Sequence, residues 1–289
     1  MRDNDTIRRF LIENSTVRGQ LVHLDASWRA MLQRADYPSP VRQVLGEAVA
    51  AVSLLAATLK MDGSITLQIT GAGPLKMVVA QATSRRTVRG MARWQGAAPE
   101  TSLVELTGAK AMVITINPGE GKERYQSVVE LVGARLSDAL KLYFLTSEQL
   151  PTRMWLAADE QQLGGLLLQN LPGEAEDADA WNRSWMKADT LREHELLRLS
   201  AREVLHRLYH EEDVRLFEGA PMSFRCDCST QRVEAMLAQF AHEELREILQ
   251  EEGEVSVTCE FCAAGYAFDA VDIEQLRAGG MPPASRLRH

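Results

Sequence analysis

The sequence predicts an α+β protein in three parts: a main sheet-and-helix domain over residues 1–173, an amphipathic helical linker over 174–220 and a small C-terminal domain over 221–289. Three observations carry that prediction. Short β-rich runs mix with a few helical stretches up to about Gly173 without a regular βαβ alternation. The composition then shifts to charges interleaved with apolar residues, and all four cysteines fall after residue 225. A length of 289 residues suits one main domain plus a smaller one, and 45% hydrophobic with 25% charged residues is the balance of a folded chain with a sizeable core.

The candidate strands, in order, are TIRRFLIE, VRGQLVHL, SITLQIT, LKMVVAQAT, AMVITINP, YQSVVEL and TRMWLAA, bounded by Gly, Asn and Pro turn signals. The clearest helix starts at Ser39-Pro40, a cap followed by proline at the first helical position. It carries Val41, Val44, Leu45, Ala48, Val49, Val52, Leu55 and Leu59 at helical spacing, which marks it for burial. A second helix runs from about Leu136 to Glu148 and ends before Pro151. In residues 174–220, 12 acidic and 7 basic residues alternate with Trp181, Trp185, Leu191, Leu197, Val204, Leu205 and Leu208, the pattern of amphipathic helices. Such a stripe must dock on something, and packing against the main domain is the simplest partner.

The net charge of −8 argues against general attraction to phosphate backbones or anionic membranes. The longest apolar run, Ala48 to Leu59, is interrupted by Ser53 and Thr58 and is too short for a bilayer span. The start, MRDNDTIRRF, is too charged for a secretory signal, so a cytoplasmic location is expected, where thiols are normally reduced.

The cysteines form two close pairs, Cys226-Asp-Cys228 and Cys259-Glu-Phe-Cys262, either side of the helical insert STQRVEAMLAQFAHEELREILQ. Four thiols so arranged suit a tetrahedral all-thiolate zinc site, in which Zn–S bonds near 2.3 Å set the sulfurs about 3.8 Å apart. A zinc ribbon would ordinarily suggest a nucleic-acid-binding protein, the alternative reading. Residues 221–262, however, hold three arginines against nine carboxylates, a net charge of −6 that repels phosphate. A catalytic zinc is disfavoured because such sites keep an open position and use His or carboxylate ligands. A thiolate is also the species oxidants attack, so the cluster reads as a redox-active centre.

Other motifs are weaker. GEGKE lacks the first glycine and the final Ser or Thr of a phosphate loop, and GAG at Gly71–Gly73 reads as a turn. His206 and His210, four apart on a helix, could share a metal, but the glutamate of a zinc protease is missing and an interface role is preferred. CEFC follows a hairpin-like EVSVT, unlike a thioredoxin pair, so a thiol oxidoreductase is also disfavoured. No catalytic triad or paired-carboxylate arrangement stands out, and no enzyme activity is expected.

The signature FRCDCS…VEAML…EEGEVSVTCEFCAAGYAFD, with LYHEEDVRLFE before it and LTSEQ and GGLLLQNLPG in the main domain, resembles the 33 kDa chaperonin family of redox-regulated bacterial heat-shock proteins. The resemblance covers most of the chain. It implies one zinc per reduced chain, held by Cys226, Cys228, Cys259 and Cys262. It also implies disulfides Cys226–Cys228 and Cys259–Cys262 on oxidation, then zinc release, unfolding of the zinc domain and linker, dimerisation, and ATP-independent binding of unfolding client proteins under oxidative stress.

Overall fold

The computed structural model describes residues 4–59, 62–119, 122–174 and 176–277, and the chain divides into two compact units, 1–225 and 226–289. In unit 1 the elements run β1 (Thr6–Ile12), β2 (Val17–Leu24), α1 (Ala26–Leu32), α2 (Ser39–Ala56), β3 (Ser64–Thr70), β4 (Leu75–Thr83), β5 (Thr87–Trp94), α3 (Leu103–Thr107), β6 (Ala111–Asn117), β7 (Tyr125–Glu130), α4 (Leu136–Thr146), β8 (Thr152–Ala158) and β9 (Leu163–Asn170). They continue through α5 (Ala180–Ala188), α6 (Glu193–Arg198), α7 (Ala201–Tyr209) and the short strands β10 (Val214–Leu216), β11 (Ala220–Pro221) and β12 (Ser223–Phe224). Unit 2 holds α8 (Thr230–Leu237), α9 (His242–Glu252), β13 (Val255–Thr258), β14 (Gly265–Phe268) and α10 (Ala270–Arg277).

Two sheets enclose the main helix. One has the order β10-β1-β2-β9-β8, with β11 also on β1; the other has the order β12-β5-β4-β3-β6-β7. The apolar α2 packs between them, with Val41, Leu45, Ala48, Val49, Val52 and Leu54 all fully buried. Gly46 makes the approach possible, because a Cβ there would stand 2.2 Å from the Ala158 Cβ of β8. The helix starts at Ser39 with Pro38 as its cap residue, one position earlier than the sequence pattern suggests, and no side chain caps it.

All seven expected strands form, and two more in residues 1–173 were missed; the segment expected to be a helical linker also ends in the short strand β10, which pairs with β1. LGGLLLQN makes β9, which does not alternate because it is covered on both faces and buried along almost its whole length. TVRGMARW makes β5, where arginines and Gly90 disguise the pattern; Gly90 sits where Val49 of α2 would clash with any Cβ. GAG forms the turn between antiparallel β3 and β4, and Gly73 N–H donates to the Thr107 carbonyl at 2.8 Å. β6 and β7 pair antiparallel as the GEGKE reading required, although Glu120 and Gly121 lie outside the described residues.

The outer face of the first sheet carries a second core. Phe10, Ile12, Val17, Leu21, Leu166 and Leu168 meet Leu196, Leu197, Val204, Leu205, Leu208 and Tyr209 from residues 174–220, with Trp181, Trp185 and Leu191 half-buried at its margin. The amphipathic stripe thus docks on a sheet face, as hydrophobic burial demands. A cleft of about 730 Å³ nevertheless remains beside this layer, lined by Arg135, Lys141, Arg153, Trp155, Arg192 and His194 among others. No helix among the described residues is long and apolar enough to cross a membrane.

Candidate metal centre

Each half of the cysteine constellation is held by its own local structure. Cys226 and Cys228 precede α8, whose N-cap Ser229 accepts from the Arg232 N–H, while the Arg232 side chain donates to the Asp227 carbonyl at 2.8 Å. The second pair lies in the turn of the β13–β14 hairpin, whose register is Thr258↔Gly265. There the Cys259 N–H donates to the Ala264 carbonyl at 2.9 Å, and the Ala263 N–H donates to the Cys259 carbonyl at 2.7 Å. This tight turn puts Ala263 at φ 57°, a left-handed conformation costing a non-glycine residue about 1–2 kcal/mol.

The two halves converge. The four Sγ atoms lie within 4.8 Å of one another, with Cys226 Sγ 3.7 Å from Cys259 Sγ and Cys228 Sγ 3.2 Å from Cys262 Sγ. Such spacings fit the roughly 3.8 Å sulfur separation of a tetrahedral thiolate site. All four cysteines are half-buried and none is in a disulfide. This is the one group of three or more potential ligands found among the described residues, and it could hold a metal ion.

Electrostatics favour a cation here. Burial pushes the Cys228 thiol up, but hydrogen bonds from Tyr266 and the other three cysteines outweigh it and bring Cys228 below the ordinary thiol value. Cys226 and Cys262 are pushed up, first by burial and then by contacts with neighbouring sulfurs. The Cys228 thiolate therefore forms readily, while Cys226 and Cys262 resist ionisation unless a positive charge balances them. Tyr266, 95% buried on β14 beside Cys228, is a site residue that sequence reasoning missed. Its only signal was the apolar alternation of GYAF.

Among the described residues, little else holds unit 2 together. Its core consists of Val233, Leu237, Leu245, Val255, Tyr266, Phe268 and Ile273, with Cys228 and Cys259 packed at its edge. Exposed ion pairs of Glu274 with His242 and Arg246 add little. His206 lies on α7 of unit 1 and His210 is that helix's C-cap residue; neither belongs to the group of four cysteines.

A family model described as Hsp33 protein matches residues 5–269. The 33 kDa chaperonin of Nitrosococcus oceani is 50% identical over 290 residues, covering 100% of both chains. That of Methylobacillus flagellatus is 45% identical over 293 residues, again covering 100% of both. The crystal structure of the Thermotoga maritima 33 kDa chaperonin shares the fold with a TM-score of 0.82, at 23% identity, covering 95% of this chain and 98% of its own.

Proposed function

The chain belongs to the Hsp33 family, a family of chaperones rather than enzymes, and from that premise we propose that it is a redox-regulated, ATP-independent holdase of the cytoplasm. In this reading the reduced protein is inactive and holds one zinc ion on Cys226, Cys228, Cys259 and Cys262. Oxidative stress converts it to a form that binds unfolding client proteins. The observation that carries the proposal is the convergence of four sulfurs on the edge of a seven-residue core.

Zinc, when bound, would hold all four sulfurs as thiolates and add about 10–16 kcal/mol of binding free energy inseparable from folding in such small modules. The chain's own part is the redox step. Each thiolate pair gives up two electrons to a two-electron oxidant as one S–S bond forms; with hydrogen peroxide the O–O bond breaks and its two oxygens take up two protons from solvent and leave as two waters.

Which sulfurs pair decides the outcome. Cys226–Cys228 and Cys259–Cys262, the pairing implied by the family likeness, close loops of about three and four residues, each worth only about 1.5–2 kcal/mol in the chain-entropy model. They also cut the tie between the start of the unit and its hairpin. Cross-pairing of Cys226 with Cys259 and Cys228 with Cys262 would keep that tie, the first link alone closing a loop worth about 4 kcal/mol on the same chain-entropy scale. Only the sequential pairing switches the unit from ordered to disordered. Its disorder would reach residues 174–220 through the short strands β10–β12, baring the apolar faces of the linker and of the first sheet to clients and to a second oxidised copy.

The reading is tested by treating the reduced, zinc-loaded protein with peroxide and mild heat, or with hypochlorite. It expects release of about one zinc per chain together with suppressed aggregation of a denaturing client. Zinc retention with no suppression contradicts it. The net charge of −6 over residues 221–262 leaves the nucleic-acid reading without support, and a gel shift of the reduced protein with DNA or RNA should show no retention.

A further inference from the structure

We propose that His206 and His210 form a second metal-ion site, on α7, for a borderline divalent cation such as zinc, and that a cation bound there stabilises the folded helix. Both imidazoles are exposed, one turn apart on the same helix face, with ring centroids 6.1 Å apart. Neither imidazole has a hydrogen-bond partner among the described residues, so the ring nitrogens are open to a ligand. Two imidazoles sharing a cation at Zn–N distances of 2.0–2.1 Å and a tetrahedral angle place their centroids about 5 Å apart. The observed separation is about 1 Å wider, a gap that small rotations of exposed side chains close at little cost.

The surroundings suit a cation bound by two nitrogens and water. The rings line a cleft of about 490 Å³ with the carboxylates Glu212 and Asp213. Glu212 is engaged by Arg183 and Lys187, which leaves Asp213 as the other carboxylate in the cleft lining that could complete the shell. Of the two cations on α7, Arg207 is turned away into an ion pair with Glu195 at 2.6 Å, whereas Arg202 lines the cleft and opposes the charge. The site is therefore weaker than the cysteine cluster. Neutral imidazole selects zinc, copper or nickel over magnesium or calcium.

A ligand that binds only the folded helix stabilises it by mass action. A cation linking successive turns of α7 would hold Val204, Leu205 and Leu208 in register against the sheet. The site itself is independent of the proposed chaperone cycle; its bearing on activation rests on that reading, in which residues 174–220 must lose order.

The test is equilibrium dialysis of the reduced, zinc-loaded protein against additional zinc, alongside thermal melting in the same buffers. The wild type should take up a second, weaker equivalent and melt at a higher temperature as zinc is added. His206→Gln and His210→Gln should each weaken that second equivalent about tenfold or more through loss of chelation and abolish the thermal shift, while leaving the first equivalent in place. Equal second-site affinity in the wild type and both variants, or no second equivalent in the wild type, overturns the proposal. The first equivalent, on the cysteines, is read separately, so failure of one site does not mimic failure of the other.

Discussion

Glu47 sits in the middle of α2, 96% buried in the main core, with Gln43 donating to it at 3.3 Å. Burial raises its carboxyl to about 7 against the opposing pull of Arg135 and Gln43, with Glu193 and Asp138 adding to the rise. The folded state therefore holds a proton that the unfolded state releases near 4.5, so stability is greatest below that value and falls as pH rises towards 7. The loss is on the order of 3 kcal/mol. Glu47→Gln should flatten that slope, melting above the wild type at pH 8 and close to it at pH 4.5; a wild-type slope retained in the variant would show that Glu47 is not its source. The sequence shows one glutamate in an apolar helix but not which face it takes, since α2 is covered on every side. The cysteines were legible because their chemistry is tied to spacing, whereas Tyr266 was not, because a tyrosine in a short strand has many uses.

At the scale of elements, α7 was readable from its apolar spacing, and its docking follows from the need to bury that stripe. β9 and β5 were not, because strands shielded on both faces, or crossed closely by a helix at glycine, lose the alternation that identifies them. Leu208 on α7 is 97% buried against the first sheet, so Leu208→Ala should cost about 2–5 kcal/mol. The ion pairs around α5–α7, such as Arg183–Glu212 and Lys187–Glu212, are partly exposed and do not replace that burial. Leu208→Ala should therefore raise client holding in the reduced, zinc-loaded protein; activity as low as the wild type's, despite a lowered melting temperature, would separate linker docking from activation. In unit 2, peptide mapping of the oxidised protein should find Cys226–Cys228 and Cys259–Cys262. Cross-linked peptides joining the two halves would contradict the switch, because they preserve the tie it must break.

For the whole molecule, the contrast between the units sets the order of events. Unit 1 has two extensive cores around its first sheet, while the described residues of unit 2 offer seven buried apolar side chains and the sulfur cluster. A region so small seldom folds without a staple, so its order should follow the state of its cysteines while the α2 core persists. The division into a mixed sheet-and-helix body and a cysteine-bearing end was legible from composition. The wrapping of two sheets around one helix was not, because it depends on pairings between strands far apart in sequence, such as β2 with β9.

The most direct measurement is amide hydrogen exchange on the reduced zinc-loaded protein and on the oxidised zinc-free protein, with zinc content determined on the same samples. The account predicts that oxidation and metal loss remove protection from residues 226–277 first and from α5–α7 next, while α2 stays protected. Full protection of residues 226–277 after the metal has gone and the thiols have bridged would contradict it.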